Sequence, residues 1–216
     1  MRLLSPMDLL YPPACILCGR LLEDRACLCE QCRKEAPFFK NSKRKLQFLD
    51  SFTAVWYYKG YVRESLLRYK FGGGRDLSAP YGRFLAEKIR MQHPEGFDLL
   101  TWVPVSFLRR MKRGYDQCQL LSRKVGKELG IPSTRLLLKV RHNRAQSGLS
   151  HPALRRGNVV GAYRVLQKGK LEGKRILLLD DILTTGATAG ECARMLKTAG
   201  AAEVHCAVLA VSEKES

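Results

Sequence analysis

Asp180 and Asp181 stand side by side after the apolar run Ile176-Leu177-Leu178-Leu179, and Thr184-Thr185-Gly186-Ala187-Thr188 follows almost at once. Two adjacent carboxylates accept hydrogen bonds from hydroxyl groups. The threonine and glycine stretch offers small residues, side-chain hydroxyls and backbone N–H groups. The sequence predicts a helix from about Ala187 to Ala199. Its N-terminus, with exposed amides and the positive end of the helix dipole, suits an anion. One element therefore supplies carboxylates for hydroxyls and a cradle for a phosphate, the two things a ribose 5-phosphate requires.

A second chemical cluster lies near the start of the chain. Cys15-x-x-Cys18 and Cys29-x-x-Cys32 form two knuckles with ten residues between them. Each knuckle presents two thiolates, and together they close a tetrahedral four-cysteine zinc site. Four sulfurs leave no open position for water, so the predicted Zn2+ is structural. So short a segment has no core of its own, and the metal would supply its folding energy. Cys27 is a fifth candidate, an alternative to Cys29. The scattered Cys118, Cys192 and Cys206 read as small core residues.

These groups need a scaffold. A short apolar run such as Ile176–Leu179 reads as a buried parallel strand, with the acids at its carboxyl end, where open α/β sheets place their ligands. Further strands are predicted over Ser51 to Tyr58, Asp98 to Val105, Thr134 to Val140, Gly161 to Leu166 and Glu203 to Val211. Helices are predicted over Val62 to Lys70, Leu77 to Met91 and Gln117 to Leu129; in the last, Leu121, Val125 and Leu129 recur every four residues. Gly72-Gly73-Gly74 reads as a turn and not a P-loop, since no GK[ST] follows. Alternating strands and helices imply a largely parallel sheet. Phe107 to Gln117 and the eighteen-residue stretch from Arg141 to Asn158 read as loops, the second long enough to suggest a functional role. His142 reads as an exposed loop residue.

Composition narrows the class. With 216 residues, 45% of them hydrophobic, the chain can bury a core, which excludes global disorder. No apolar run is long enough to cross a bilayer, and Met1 to Leu10 is too short and too mixed for a secretory signal, so a cytoplasmic protein without a membrane span is expected. The 38 Lys and Arg outweigh the 20 Asp and Glu by +18. Between Val103 and Arg156 there are 13 basic residues against two acids, Asp116 and Glu128. Such an excess favours a polyanion, here nucleic acid, with Arg109, Arg110, Lys112, Arg113, Lys124, Arg155 and Arg156 as the expected contacts. Trp56, Tyr57, Tyr58, Tyr61 and Tyr69, interleaved with Lys59, Arg63, Arg68 and Lys70, offer bases a stacking surface, although core packing suits Trp56 better.

The run from Ile176 to Thr188 closely resembles the phosphoribosyl-pyrophosphate (PRPP) signature of the type I phosphoribosyltransferases. The resemblance implies that Asp180 and Asp181 hold the ribose hydroxyls and are the catalytic pair. It implies that Thr184, Thr185, Gly186, Ala187 and Thr188 wrap the 5-phosphate, and that Ser106, Arg109, Lys112 and Arg113 meet the pyrophosphate. It makes Arg141, Arg144, Gln146 and Ser147 part of a flexible catalytic hood, and it brings Mg2+ with PRPP. The four-cysteine knuckle pair, VPVSFLRRMKRGYDQ, QSGLS and Gly161-Ala162-Tyr163 together resemble the ComF family of late-competence proteins. That resemblance implies an α/β fold: a type I phosphoribosyltransferase-like, mainly parallel sheet flanked by helices, with a small N-terminal four-cysteine zinc-finger module. It divides the chain into a zinc-finger module, 1–40, and a phosphoribosyltransferase-like domain, 41–216. It implies single-stranded DNA as a partner during natural transformation, PRPP as a ligand, and a competence DNA helicase alongside. The alternative is an active phosphoribosyltransferase of unknown acceptor, serving nucleotide metabolism with no direct DNA role.

Overall fold

The computed structural model describes residues 12–23, 26–40, 44–141 and 159–213. Four strands form an all-parallel sheet: β1 (Ser51–Tyr57), β2 (Leu99–Trp102), β5 (Arg175–Leu183) and β6 (Glu203–Val211), in the order β1-β6-β5-β2. β3 (Leu137–Lys139) and β4 (Tyr163–Val165) pair antiparallel as a separate two-stranded unit. The helices are α1 (Glu30–Glu35), α2 (Gly60–Phe71), α3 (Ser78–Gln92), α4 (Phe107–Arg113), α5 (Gln117–Leu129) and α6 (Ala187–Thr198).

The central strands are apolar on both faces because both faces are covered. On one side Leu177, Leu179, Ala207 and Leu209 meet Val62, Leu66 and Tyr69 of α2, Tyr81, Leu85 and Ile89 of α3, and Leu121 and Val125 of α5. Cys15, Ile16, Leu17 and Leu28 join that same cluster. On the other side Ile176, Leu178, Val204, Cys206 and Val208 meet Ala189, Cys192, Ala193 and Leu196 of α6 and the β3–β4 pair. The result is a three-layer α/β/α sandwich, mostly parallel, with the cysteine-rich segment packed on one helical layer.

Three expectations change. The strand carrying Asp180 and Asp181 does not stop at Leu179; β5 runs on to Leu183. Its register continues against β6, with Asp180 opposite Val208 and Leu183 opposite Val211, while β2 last pairs at Trp102 with Leu179. The acids thus sit inside a strand, just past the point where its pairing with β2 has ended. Phe107 to Gln117 is not a loop throughout. Ser106, in extended conformation, starts α4, and Gly114 in the left-handed region ends it. The run between them is free of glycine and proline and favours a helix. The strand expected over Asp98 to Val105 is shorter, because Val103 makes the last sheet contact, donating to the Leu179 carbonyl at 2.8 Å.

Candidate sugar-phosphate site and zinc centre

α2 and α5 are bolted together at the carboxyl end of the sheet. The Tyr69 hydroxyl donates to the Gln117 carbonyl at 2.7 Å, and the Tyr115 hydroxyl donates to the Tyr69 carbonyl. Asp116 starts α5 by accepting from the Gln119 N–H at 3.1 Å. This frame aims three side chains at the acid pair. Lys70 places its ammonium 2.9 Å from Asp181 Oδ1, and Gln117 Nε2 donates to Asp181 Oδ2 at 2.9 Å. The Cys118 thiol lies 3.5 Å from Asp180 Oδ1, which also accepts from the Asp181 N–H at 2.9 Å.

The charges do not balance. Two carboxylates share one ammonium. Burial, with the charge of Asp181 added, pushes the Asp180 carboxyl up to about 7. Burial works to lower the Lys70 ammonium, but Asp181 outweighs it and the group is raised. The Gln117 side-chain oxygen is buried with no hydrogen-bond partner among the described residues, its amide nitrogen being turned to Asp181. An orphaned carbonyl beside an under-compensated acid pair is an acceptor set for a polar ligand.

Three residues on, the chain turns through Thr184 to Gly186 into α6. Gly186 has φ of 81°, and Thr185 Oγ1 accepts from the Ala187 N–H at 3.3 Å. Thr184 is exposed and Thr185, Gly186, Ala187 and Thr188 are half-buried, so the loop lies open beside the acids at the start of α6. The structure therefore brings together Asp180, Asp181 and the whole threonine and glycine loop. Ser106 is buried at the start of α4, directly after the β2 end. Arg109, Arg110, Lys112 and Arg113 belong to α4; Arg110 is exposed, and the Arg113 guanidinium lies over the Phe71 ring at 4.8 Å. Lys124 is exposed two turns along α5, beside Gly82 of α3, away from the acids. Arg141 is exposed just after β3. Arg144, Gln146, Ser147, Arg155 and Arg156, with His142, lie outside the described residues.

The expected aromatic set divides: Tyr61 is 53% exposed and Tyr57 and Tyr58 are half-buried, while Trp56, better suited to the core, and Tyr69 face inward. Both rings are fully buried: Trp56 packs among Phe38, Tyr81 and Phe84, and Tyr69 against Tyr81 and Tyr115. Large rings that do reach the surface include Phe71 and Phe107, 66% and 73% exposed, next to the arginines of α4. Lys70, which the sequence placed among stacking cations, instead serves the acids; no local pattern signals a contact made across so many residues.

The second centre has the donor set a metal needs. The sulfurs of Cys15, Cys18, Cys29 and Cys32 all lie within 4.8 Å of one another. Cys27 stands apart from this group, which favours Cys29 as the fourth sulfur. The knuckle is held by Cys15 N–H to the Arg20 carbonyl at 2.8 Å and by Cys32 N–H to Cys29 Sγ at 3.4 Å. Although burial opposes it, the Cys15 thiol is drawn down to about 7 by the backbone N–H groups of Cys18, Cys29 and Leu17. Four converging sulfurs, mostly buried, fit structural zinc. Cys118, Cys192 and Cys206 are fully buried, and burial pushes each of their thiols well up.

A parallel sheet with an acid pair and a phosphate-type loop at its carboxyl end, joined to a four-cysteine knuckle pair, defines a zinc-ribbon protein on a phosphoribosyl transferase scaffold. Comparison bears out both modules: residues 112–216 match the phosphoribosyl transferase domain and residues 6–43 the double zinc ribbon domain. Relatives resemble the chain over most of its length. "Competence protein F" of Haemophilus influenzae is 28% identical, covering 89% of this chain and 82% of its own. "Competence protein ComFC" of Streptococcus pneumoniae is 27% identical, covering 88% and 96%. "DNA utilization protein YhgH" of Salmonella typhi is 27% identical, covering 93% and 91%. Over most of its length the chain is similar to these competence and DNA-utilization proteins. Among the described residues, no helix is long and apolar enough to cross a membrane.

Proposed function

We propose that this chain binds PRPP with Mg2+ at the carboxyl end of its sheet and single-stranded DNA on its basic surface, as a DNA-handling competence factor. The observation that carries the reading is the acid pair beside the open threonine and glycine loop, short of positive charge and flanked by the unpartnered Gln117 oxygen. Asp180 and Asp181 take the ribose hydroxyls. The amides of Thr185 to Thr188 at the start of α6 take the 5-phosphate. Mg2+, a hard cation that prefers oxygen ligands, neutralises the pyrophosphate. Lys70 fixes Asp181 so that its geometry is set before the ligand arrives. If transfer occurs, it is displacement at the anomeric carbon with pyrophosphate leaving, helped by positioning and charge, with no covalent nucleophile required.

DNA binding is supported by the +18 net charge, by exposed Phe71 and Phe107 beside Arg110 and Arg113, and by the names of the competence and DNA-utilization relatives. Bases stack on exposed rings while arginines meet the phosphates. The test is calorimetric titration of the zinc-loaded protein with PRPP and Mg2+, repeated with single-stranded DNA present. PRPP binding supports a working sugar-phosphate site, and a shift with DNA gives the coupling between the ligands. DNA binding without PRPP binding sinks the first half of the proposal. Charge reversal at Arg109, Arg110 and Lys112 is expected to weaken DNA binding and flatten its salt dependence by about one unit of slope per lost phosphate contact. An unchanged slope removes α4 from the interface.

A further inference from the structure

The segment between the cysteine module and β1 lies across the phosphate loop. The Arg44 guanidinium donates to the Thr184 carbonyl at 2.6 Å. A Cβ on Gly186 would lie 2.7 Å from Leu46 Cδ2, and one on Gly190 would lie 3.0 Å from the Gln47 carbonyl oxygen. Two glycines of the loop and the first turn of α6 thus make room for this segment. Its other end is fixed as firmly. Asp50 accepts from Lys197 Nζ at 2.8 Å and from the Val204 N–H at 2.7 Å, and its own N–H donates to the Val204 carbonyl at 3.0 Å. Residues 44–50 therefore form a strap from the N-terminus of α6 to its C-terminus. Between those ends the strap turns at Leu46 to Leu49, where the Leu49 N–H donates to the Leu46 carbonyl at 3.3 Å and Phe48 has φ of 65°.

We propose that Arg44 is a positioning residue for the phosphate loop, and that the strap makes the exit from the zinc module part of the sugar-phosphate site. This rests on the reading of residues 184–188 as the 5-phosphate cradle. In a planar trans peptide the carbonyl and the following N–H point in opposite directions. Pinning the Thr184 carbonyl outward to Arg44 aims the Thr185 N–H the other way, into the loop. A cation on the carbonyl also polarises that peptide and strengthens the N–H as a donor to an anion. Arg44 thus acts on the phosphate through the peptide it holds. Leu46 and Gln47, seated against Gly186 and Gly190, keep the strap in register.

The experiment is calorimetric titration of ribose 5-phosphate into the zinc-loaded full chain and three variants, Arg44→Ala, Arg44→Lys and Gly190→Ala. Gly190→Ala acts from inside a helix, where alanine is favoured, so it displaces the strap without weakening α6. Arg44→Ala and Gly190→Ala are expected to weaken binding about tenfold, the scale of one hydrogen bond to a charged group. Arg44→Lys, which keeps the charge and one donor, is expected to recover most of the loss. The Thr185 amide resonance is expected to move downfield with inorganic phosphate in the wild type and to move less in Arg44→Ala. Wild-type binding left unchanged by both weakening variants overturns the brace alone. No ribose 5-phosphate binding by the wild type overturns the reading of the loop and the brace with it.

Discussion

At the amino end of the sheet, where β5 and β6 begin, Arg175 donates to Glu95 at 2.6 Å and to Glu203 at 2.9 Å. Glu203 also meets His205 Nε2 at 2.9 Å, and His205 Nδ1 lies 2.6 Å from Ser51 Oγ. At the carboxyl end, Asp180 and Asp181 share one ammonium from Lys70. The residue types are alike and the outcomes opposite. Glu95 is drawn down to about 2 by its own backbone N–H and by Arg175, and Glu203 is lowered by His205 and Arg175. Asp180 is pushed up to about 7 by burial and by its neighbour. The amino end is complete as it stands. At the carboxyl end, among the described residues, the ion pair to the two acids is the one from Lys70 to Asp181.

Three experiments probe that contrast. The largest effect is expected from Asp180→Asn with Asp181→Asn, which should lower PRPP affinity at least a hundredfold, on the order of 3 kcal/mol, with the fold intact by circular dichroism. Unchanged affinity would remove the acids from the site. Next is Asp180→Asn alone. The folded-state pKa of Asp180 lies above its unfolded value, so the folded state binds more protons between about pH 4 and pH 7 and wild-type stability falls as pH rises through that window. The variant escapes this loss. At pH 8 it should be more stable by about 1–3 kcal/mol, at roughly 1.4 kcal/mol per pKa unit, and the gain should vanish near pH 4. Denaturant titration at the two pH values decides it, and an equal or absent gain at both contradicts the account of Asp180. The smallest effect is expected at the other end, from Arg175→Ala. Glu95 and Glu203 have lowered folded-state pKa values, so the stability they contribute is present above about pH 4.5 and lost as pH falls toward about 2. The variant should melt slightly below wild type at neutral pH and level with it near pH 2. Solvent and salt screen these exposed partners, and raising the salt should shrink the difference. A loss as large as the Asp180 effect would mean that the two ends differ less than their geometry indicates.

Much of the carboxyl end was legible because its parts are contiguous. Asp180 to Thr188 is one strand, turn and helix start, and Cys15 to Cys32 is one pair of knuckles, so spacing alone carries the chemistry. The helix of Gln117 to Leu129 was legible through the four-residue recurrence of Leu121, Val125 and Leu129, and the structure adds the Asp116 cap and the Gly130 stop. Lys70, Gln117 and Arg44 were missed for the opposite reason. Each acts on a group 64 to 140 positions away in the chain, as the Gln117 to Asp181 and Arg44 to Thr184 bonds show, and no local pattern encodes such a contact. α4 was read as a loop because the resemblance places a pyrophosphate loop after this strand, whereas here Ser106 and Gly114 start and stop a helix. Tyr69 looked like part of a binding surface because aromatics beside cations read the same whether they face bases or a core, whereas Trp56 already suited the core.

The strand order has a consequence for the time course of folding. Ser51 of β1 and His205 of β6 are bonded across 154 residues, and β6 is the sheet neighbour of β1. At a synthesis rate of about 5–20 residues per second, β1 leaves the ribosome on the order of ten seconds or more before β6 exists. The cysteine knuckles can close early, and Phe39 can bridge to Val55 at once. The other edge of β1, with Trp56 beside it, stays exposed until β6 is made. A chaperone that shields strand edges should therefore raise the yield of soluble protein more than added zinc does.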